Sequence, residues 1–397
     1  MKTYANRFVL AVFLAGILIL PILSVVLRSA DILYYENRPK AAAPQFTWES
    51  ALDGQYFTSI DTALSDRIFF RDRMIQTNTS LDLLARRPVV NNYVISTNAL
   101  VNFHGYLTWG TEHLPQVAND VVGGIARIQD TIQSYGGQFF YVGLPQQYTY
   151  FASVYPNYMD DRLWNTEAIR NAFSQAMASR HIPFIDMNAE YRALGQPADY
   201  YFFTDHHFSY QGAFLTSQIF MQQVRQQTGY DIPVLSAEDI DFITLPNPFL
   251  GSRDRALYDT WKKEEFLEIG IPKQPIQFTR YDNGNPTASS VYDLPLSVTE
   301  RISYSIYMGG DVGETIILTE RPELPKLLII GESFTNALET LLWVGFDETR
   351  SLDYRYNDTD ESLEEYILHY KPDVVLCVKD EGTYLDRASN AYFYKQQ

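Results

Sequence analysis

Two short stretches hold residue types that could do chemistry together. Residues 201–214 read YFFTDHHFSYQGAF and set His206 and His207 directly after Asp205. Histidine is the side chain whose unperturbed pKa lies closest to neutrality, which suits it to take and return a proton during a reaction. Such a base needs a nucleophile, and 126 residues beyond His207 the run KLLIIGESF at 326–334 contains Ser333. In a nucleophile–base–orienter system His207 would remove the Ser333 proton, while Asp205 would fix the imidazole tautomer and stabilise its charged form. Each residue alone has a plainer reading. Ser333 could N-cap the next helix, Asp205 could cap a turn, Ser209 suits another N-cap, and a histidine among aromatics is commonly packed. The occurrence of both stretches in one α/β pattern favours the chemical reading.

The elements around them are legible as alternation. In LLIIGESFTN, residues 327–336, an apolar strand runs straight into a turn and then a helix. Functional crevices of open α/β sheets lie at the carboxyl ends of strands, and N–H groups at a helix start could bind an oxyanion. The spacing predicts helices over 117–134 (interrupted by Gly123-Gly124), 165–180 and about 210–227, with strands over 138–143 and 182–187. Further on it predicts strand 326–330, helix 335–344, strand 351–356, helix 361–370 and strand 373–378. Mostly apolar strands alternating with helices indicate a largely parallel sheet covered on both faces. Residues 240–320 differ, being rich in Pro, Gly, Tyr and Thr with β-like runs at 276–281, 302–307 and 314–319. They read as a β-rich insertion.

Residues 8–27 are twenty residues without a charge, enough to cross a bilayer as a helix. Lys2 and Arg7 before the run, set against Arg28 with Asp31 close behind after it, favour on the positive-inside rule a cytoplasmic N-terminus and an exported remainder. The expectation is an uncleaved single-pass anchor in the cell membrane; a cleaved signal peptide is the alternative. The organisation expected is anchor 8–27, connector and N-terminal helices 31–88, and an α/β domain over 89–397. Within 53–86 Tyr56, Ile60, Leu64 and Ile68 fall four apart, indicating one or two helices, and 89–99 reads as a hairpin around Asn91-Asn92.

A net charge of −17 argues against nucleic acid or an anionic membrane surface as the main partner. Cys377 is the only cysteine, which excludes an intramolecular disulfide framework and a cysteine-based zinc cluster. Adjacent histidines on a strand would face opposite ways, so no metal is expected at His206-His207. No P-loop or GxGxxG opens a helix after a strand, so no nucleotide cofactor is expected.

TDHHF at 204–208 resembles the signature of the DHHW family, exported bacterial proteins named for Asp-His-His-Trp. Further landmarks agree in order: Glu36-Asn37-Arg38 with Pro44, Asp66 with Phe70-Arg71-Asp72, Gly143-Leu144-Pro145, Gly212-Ala213 and Gly331-Glu332-Ser333-Phe334. That family is related to the SGNH hydrolase-like domains of alginate O-acetyltransferases, where an Asp-x-His element precedes the nucleophilic serine. The resemblance implies an SGNH hydrolase-like three-layer α/β/α fold, with Asp205 as orienting acid, His207 as base, Ser333 as nucleophile and His206 in a supporting role. It implies a serine O-acetyltransferase or esterase acting on a cell-envelope polysaccharide. A transferase would also need a multipass acetyl-donating membrane partner. The chain departs from the pattern at Phe208, which replaces the tryptophan, and at Glu332, where Gly-Asp-Ser is usual. It also has no clear Gly-x-Asn-Asp block. Oxyanion and substrate contacts then fall to the Ser333 N–H, with Asn336, Tyr354, Arg355 and the rest of the 354–357 strand end as weaker candidates. Two rival readings are a non-catalytic envelope protein that binds glycan or an assembly partner through the same cleft, and a simple esterase of small acyl esters.

Overall fold

Leu327–Ile330 and Val374–Val378 are buried at every residue, as strands must be when helices cover a parallel sheet from two sides. The computed structural model describes residues 2–27, 30–96, 99–103, 112–261, 263–357 and 361–393. Arg28, a flank of the apolar run, and Thr97-Asn98 of the expected hairpin lie outside the described residues. The chain divides into two compact units, Met1–Asn91 with Asp254–Lys262 and Asn92–Arg253 with Lys263–Gln397.

The first unit begins with α1 (Lys2–Val26), followed by α2 (Gln55–Ser65) and α3 (Arg71–Leu84). Within α1, Asn6–Ser24 has a mean hydropathy of 2.4 and is, among the described residues, the one helix long and apolar enough to cross a membrane. The segment 53–86 forms two helices, the first ending at Ser65 because Asp66 is taken up by the connector. Both Nη atoms of Arg38 donate to the Asp66 carboxylate at 2.7 Å, and the Ala41 N–H donates to it at 2.9 Å. Glu36 closes the network, accepting from Arg38 Nε at 2.8 Å and pairing with Arg71. Bidentate charge-assisted pairs of this kind fix geometry as well as contributing energy. The hydrogen bonds from Arg38 hold the buried Asp66 carboxyl at about 2. The landmarks Glu36-Asn37-Arg38 and Asp66…Arg71 are thus two sides of one ion-pair network.

The second unit contains α4 (Leu114–Ser134), β1 (Gln138–Leu144), α5 (Leu163–Ser179), β2 (Phe184–Asp186) and α6 (Tyr210–Thr228). It continues with β3 (Thr279–Asp282), β4 (Asn285–Pro286), β5 (Glu314–Leu318), β6 (Lys326–Ile330) and α7 (Thr335–Leu342). The last elements are β7 (Glu348–Leu352), α8 (Leu363–Tyr370) and β8 (Val374–Asp380). The sheet order is β4-β3-β5-β7-β6-β8-β1-β2. The five strands from β7 to β2 run parallel, while β3, β4 and β5 add an antiparallel edge.

Side-chain alternation sorts the layers. Phe139, Tyr141, Leu328, Ile330, Val375 and Cys377 face a core shared with α4, α5 and α8. Phe140, one residue out of phase, meets Phe220 of α6 edge-on at 5.6 Å, so α6 covers the opposite face. The architecture is the expected α/β/α one. The chain leaves β6 to one side for β7 and then crosses to the other side for β8, so the carboxyl end of β6 is the switch point where crevices form.

Three elements differ from expectation. The strand expected over 351–356 lies at Glu348–Leu352, because residues after Leu352 turn on hydrogen bonds from the Tyr356 and Arg355 N–H groups to Asp353. The run 302–307 forms isolated bridges at Ile302 and Tyr307 and a 3-10 turn at Tyr304–Ile306 rather than a strand. Gly123-Gly124 do not interrupt α4: the Gly124 backbone is buried and the helix runs through.

Candidate active site

Ser209 starts α6 by accepting from the Gly212 N–H at 3.3 Å, and the residues just before it form the bend that carries Asp205-His206-His207. Ser333 follows β6 directly. The turn is tight at Gly331, where a Cβ would lie 2.2 Å from Thr335 Cγ2. The helix behind it is capped by Phe334 without a side-chain bond, so Ser333 is not an N-cap. Its Oγ lies 2.7 Å from His207 Nε2, and His207 Nδ1 lies 2.6 Å from Asp205 Oδ1. Two stretches 126 residues apart therefore meet in one hydrogen-bonded line.

Each member of the line is held from behind. Asp205 is buried, and its carboxylate accepts from the His207 N–H at 3.0 Å and the Ser252 N–H at 2.7 Å. Burial opposes the Asp205 charge, but the two histidines and these N–H donors outweigh it and hold the carboxyl well below its ordinary value. The His207 ring lies flat on Tyr304, with centroids 3.9 Å apart and planes within 7°, and Phe334 meets it edge-on at 4.9 Å. Phe208 stacks on Phe334 at 5.8 Å, which keeps an aromatic where the family has tryptophan. Upstream, Glu265 accepts from the Phe203 N–H at 2.7 Å and the Thr204 N–H at 3.0 Å, shaping the loop that presents Asp205.

Ser252 had no signal in the sequence. It is delivered by Gly251, where a Cβ would lie 2.2 Å from the Thr204 carbonyl oxygen; only glycine allows the two backbones to approach this closely. Its hydroxyl also lies 2.7 Å from His206 Nδ1. Tyr304 was missed for a similar reason, since it sits in a run read as a strand.

His206 and His207 do not point apart. The segment is bent, their ring centroids are 3.7 Å apart, and ligand-capable atoms of Asp205, His206 and His207 lie within 4.8 Å of one another. The geometric objection to a shared cation therefore fails, although both Nδ1 atoms already have hydrogen-bond partners. The protein around His206 and the neighbouring His207 push its pKa down.

The N–H groups of Ser333 and Phe334 make no hydrogen bond among the described residues, while those of Thr335 and Asn336 close the first turn at 2.7 and 3.2 Å. Asn336 donates its amide to Asp311 at 3.0 Å, and Asp311 in turn accepts from Arg355 at 3.1 Å, so two of the weaker candidates are tied together. Arg355 also pairs with Asp353 at 2.6 Å. Tyr354 and Arg355 line a cleft of about 380 Å³ beside Gly331 and Glu332. The Tyr354 ring stacks on Tyr392 at 5.0 Å.

A serine after the strand at a switch point, met by an Asp-x-His element on an α/β/α sheet, is the arrangement that the resemblance to SGNH hydrolase-like domains implies. Residues 106–239 match the family model for the SGNH hydrolase-like domain of acetyltransferase AlgX. The structure is similar to Bacillus cereus PatB1 with a sulfonyl adduct, at TM-score 0.62 and 18% identity over 77% of this chain and 100% of that one. It is also similar to a DHHW family protein from Eubacterium siraeum DSM 15702, at TM-score 0.59 and 18% identity over 77% and 95% of the two chains. No curated protein matches the sequence. The chain thus resembles both groups to which its motifs pointed, and shares their fold.

Proposed function

We propose that this protein is a membrane-anchored, extracytoplasmic serine acyl-transfer enzyme that adds or removes an O-acetyl group on a cell-envelope polysaccharide. What supports the reading most is the unbroken hydrogen-bonded order Asp205–His207–Ser333. As the Ser333 Oγ attacks the acetyl carbonyl carbon, its proton passes to His207 Nε2 and the carbonyl electron pair moves onto oxygen. The N–H groups of Ser333 and Phe334, which make no hydrogen bond among the described residues, suit the developing oxyanion. Collapse expels the donor's oxygen, which takes the proton from His207 and leaves acetyl-Ser333. A sugar hydroxyl or water then gives its proton to His207 as it attacks the acetyl carbon, and Ser333 Oγ leaves by taking that proton back from His207 Nε2. Asp205 keeps Nδ1 protonated, so that Nε2 is the nitrogen that exchanges the proton.

The anchor is assigned to residues 8–27, the substrate contacts to Asn336, Tyr354 and Arg355, and the acetyl donor to a multipass membrane protein. Glu332, which stands where Gly-Asp-Ser is usual, has its carboxylate bound by Lys379. The test is acetyl release from a chromogenic ester, run with and without an acceptor oligosaccharide. Turnover that disappears in Ser333→Ala supports the reading, and acetylated oligosaccharide identifies a transferase. Equal turnover by Ser333→Ala would refute it.

A further inference from the structure

The first unit carries exposed apolar side chains that its own fold does not use. Phe46, Trp48, Leu52 and Phe57 are 53%, 77%, 85% and 62% exposed. Three of them are also in contact through aromatic rings: Phe46 meets Trp48 at 5.3 Å and Tyr56 at 5.1 Å, and Tyr56 meets Phe57 at 5.7 Å. On α2, Phe57 and Leu64 are seven residues apart and so lie on one helix face; Leu64 is 64% exposed. Beyond the helix, Phe70 is 61% exposed in the loop that joins α2 to α3.

This loop is tied to the apolar helix. The Phe69 N–H donates to Ser24 Oγ at 2.8 Å, at the last residue of the candidate span. The bond therefore sets Phe69-Phe70, a few residues beyond Leu64, beside the end of α1, while Asp61 is the one exposed charge between Phe57 and Leu64 on that face of α2. Charge separates this unit from the other. Of 31 Lys/Arg and 48 Asp/Glu, the first unit holds 12 and 10 and the second holds 19 and 38. With Lys2 and Arg7 on the cytoplasmic side of the anchor, the exported part of this unit is neutral, and a neutral surface exposing Trp48, Phe46, Phe57 and Phe70 suits a bilayer interface, whereas a strongly acidic one is repelled by anionic headgroups.

We infer that the face bearing Trp48, Leu52, Phe57, Leu64 and Phe70 lies in the lipid headgroup region, a second membrane contact that fixes the first unit against the bilayer surface. The inference rests on reading α1 as the anchor. Its occupant is lipid rather than a protein partner because the loop bearing Phe70 is hydrogen-bonded to the end of a helix whose exposed side chains from Phe8 onward are themselves apolar.

The test uses the full chain in vesicles of phosphatidylethanolamine and phosphatidylglycerol, with single nitroxide labels. Cys377 is fully buried, so labels go to the introduced cysteines. Leu52→Cys and Phe57→Cys are the probes, Ile17→Cys reports on α1, and Leu296→Cys, at a fully exposed apolar position of the other unit, is the aqueous control. Positions 17, 52 and 57 are expected to collide more with oxygen than with a water-soluble nickel complex, and position 296 the reverse. Lipid character at 17 with aqueous character at 52 and 57 overturns the inference and leaves the anchor intact. Aqueous character at 17 instead overturns the anchor reading and the inference with it. Protection of 52 and 57 from both reagents means that protein covers the face, which also overturns the inference. As a second measurement, brominated lipid should quench less tryptophan fluorescence in Trp48→Phe than in the parent; equal quenching contradicts the inference.

Discussion

The carboxylate of Glu332, the residue before Ser333, accepts from the ammonium of Lys379, whose side chain is 1% exposed. The two groups stand at the carboxyl ends of adjacent strands, β6 and β8, and Lys379 also donates to the Ser389 carbonyl at 3.0 Å. An acid beside the serine proposed to carry a tetrahedral oxyanion would oppose that charge, and Lys379 offsets it. Glu332→Gln leaves a buried cation without its partner, a change that costs about 3–5 kcal/mol in such settings. Adding Lys379→Met removes the stranded charge and should recover most of the loss. Denaturant unfolding of the parent, both single variants and the double variant gives the coupling. Simple additivity would show that the pair does not act as a unit.

His206 and His207 should separate cleanly. His207 bridges Asp205 and Ser333, whereas His206 bonds Ser252 and stacks on its neighbour. His207→Gln and Asp205→Asn should lower kcat by about 1,000- to 10,000-fold, the loss expected when a triad loses its base or tautomer control. His206→Gln, which retains a polar group toward Ser252, should cost less than about 10-fold, typical of a supporting hydrogen bond. Steady-state kinetics on an acetyl ester decide, and equal losses at 206 and 207 would contradict the assignment.

Much of this site was legible from local pattern. Ser333 stood out because an apolar run ends in a glycine and a helix follows at once, and Asp205-His206-His207 because two histidines adjoin an acid. The groups that support them were not legible, because they arrive from distant irregular segments. Ser252 depends on Gly251 meeting Thr204, and Tyr304 on a 3-10 turn in a run that alternates like a strand. The misplacement of β7 has a different cause. Its residues Glu348–Leu352 include Glu348 and Arg350, whereas an apolar run marks an interior strand. Arg350 is accommodated by a 2.7 Å pair with Glu348 and by packing 4.0 Å over the Tyr370 ring. Lys379 was passed over for the same reason, as one charge closing an apolar strand.

Stability should fall as pH rises from about 4.5 to 7, in part through Glu381. This residue is 1% exposed at the end of β8, accepting from the Gln146 N–H at 3.1 Å and the Asn188 amide at 3.4 Å. Burial pushes its carboxyl up to about 7 from an ordinary 4.5. Between those values the unfolded chain loses its proton while the folded protein keeps it, so the folded state is progressively disfavoured; above about 7 the penalty is complete. Its size is on the order of 3 kcal/mol, from the free energy per pKa unit. Glu381→Gln should flatten this part of the stability–pH curve and raise the melting temperature at pH 8. An unchanged slope would remove Glu381 as its source.

The central claim is that His207 activates Ser333 for covalent chemistry. Incubation with an aryl sulfonyl fluoride, followed by intact-mass and peptide analysis, tests it directly. The account predicts one sulfonyl group per chain, located on Ser333, absent in Ser333→Ala and slowed at least about 100-fold in His207→Gln, as expected for loss of a general base. Labelling of folded His207→Gln at the parent rate, or no labelling of folded parent protein at Ser333, would contradict it.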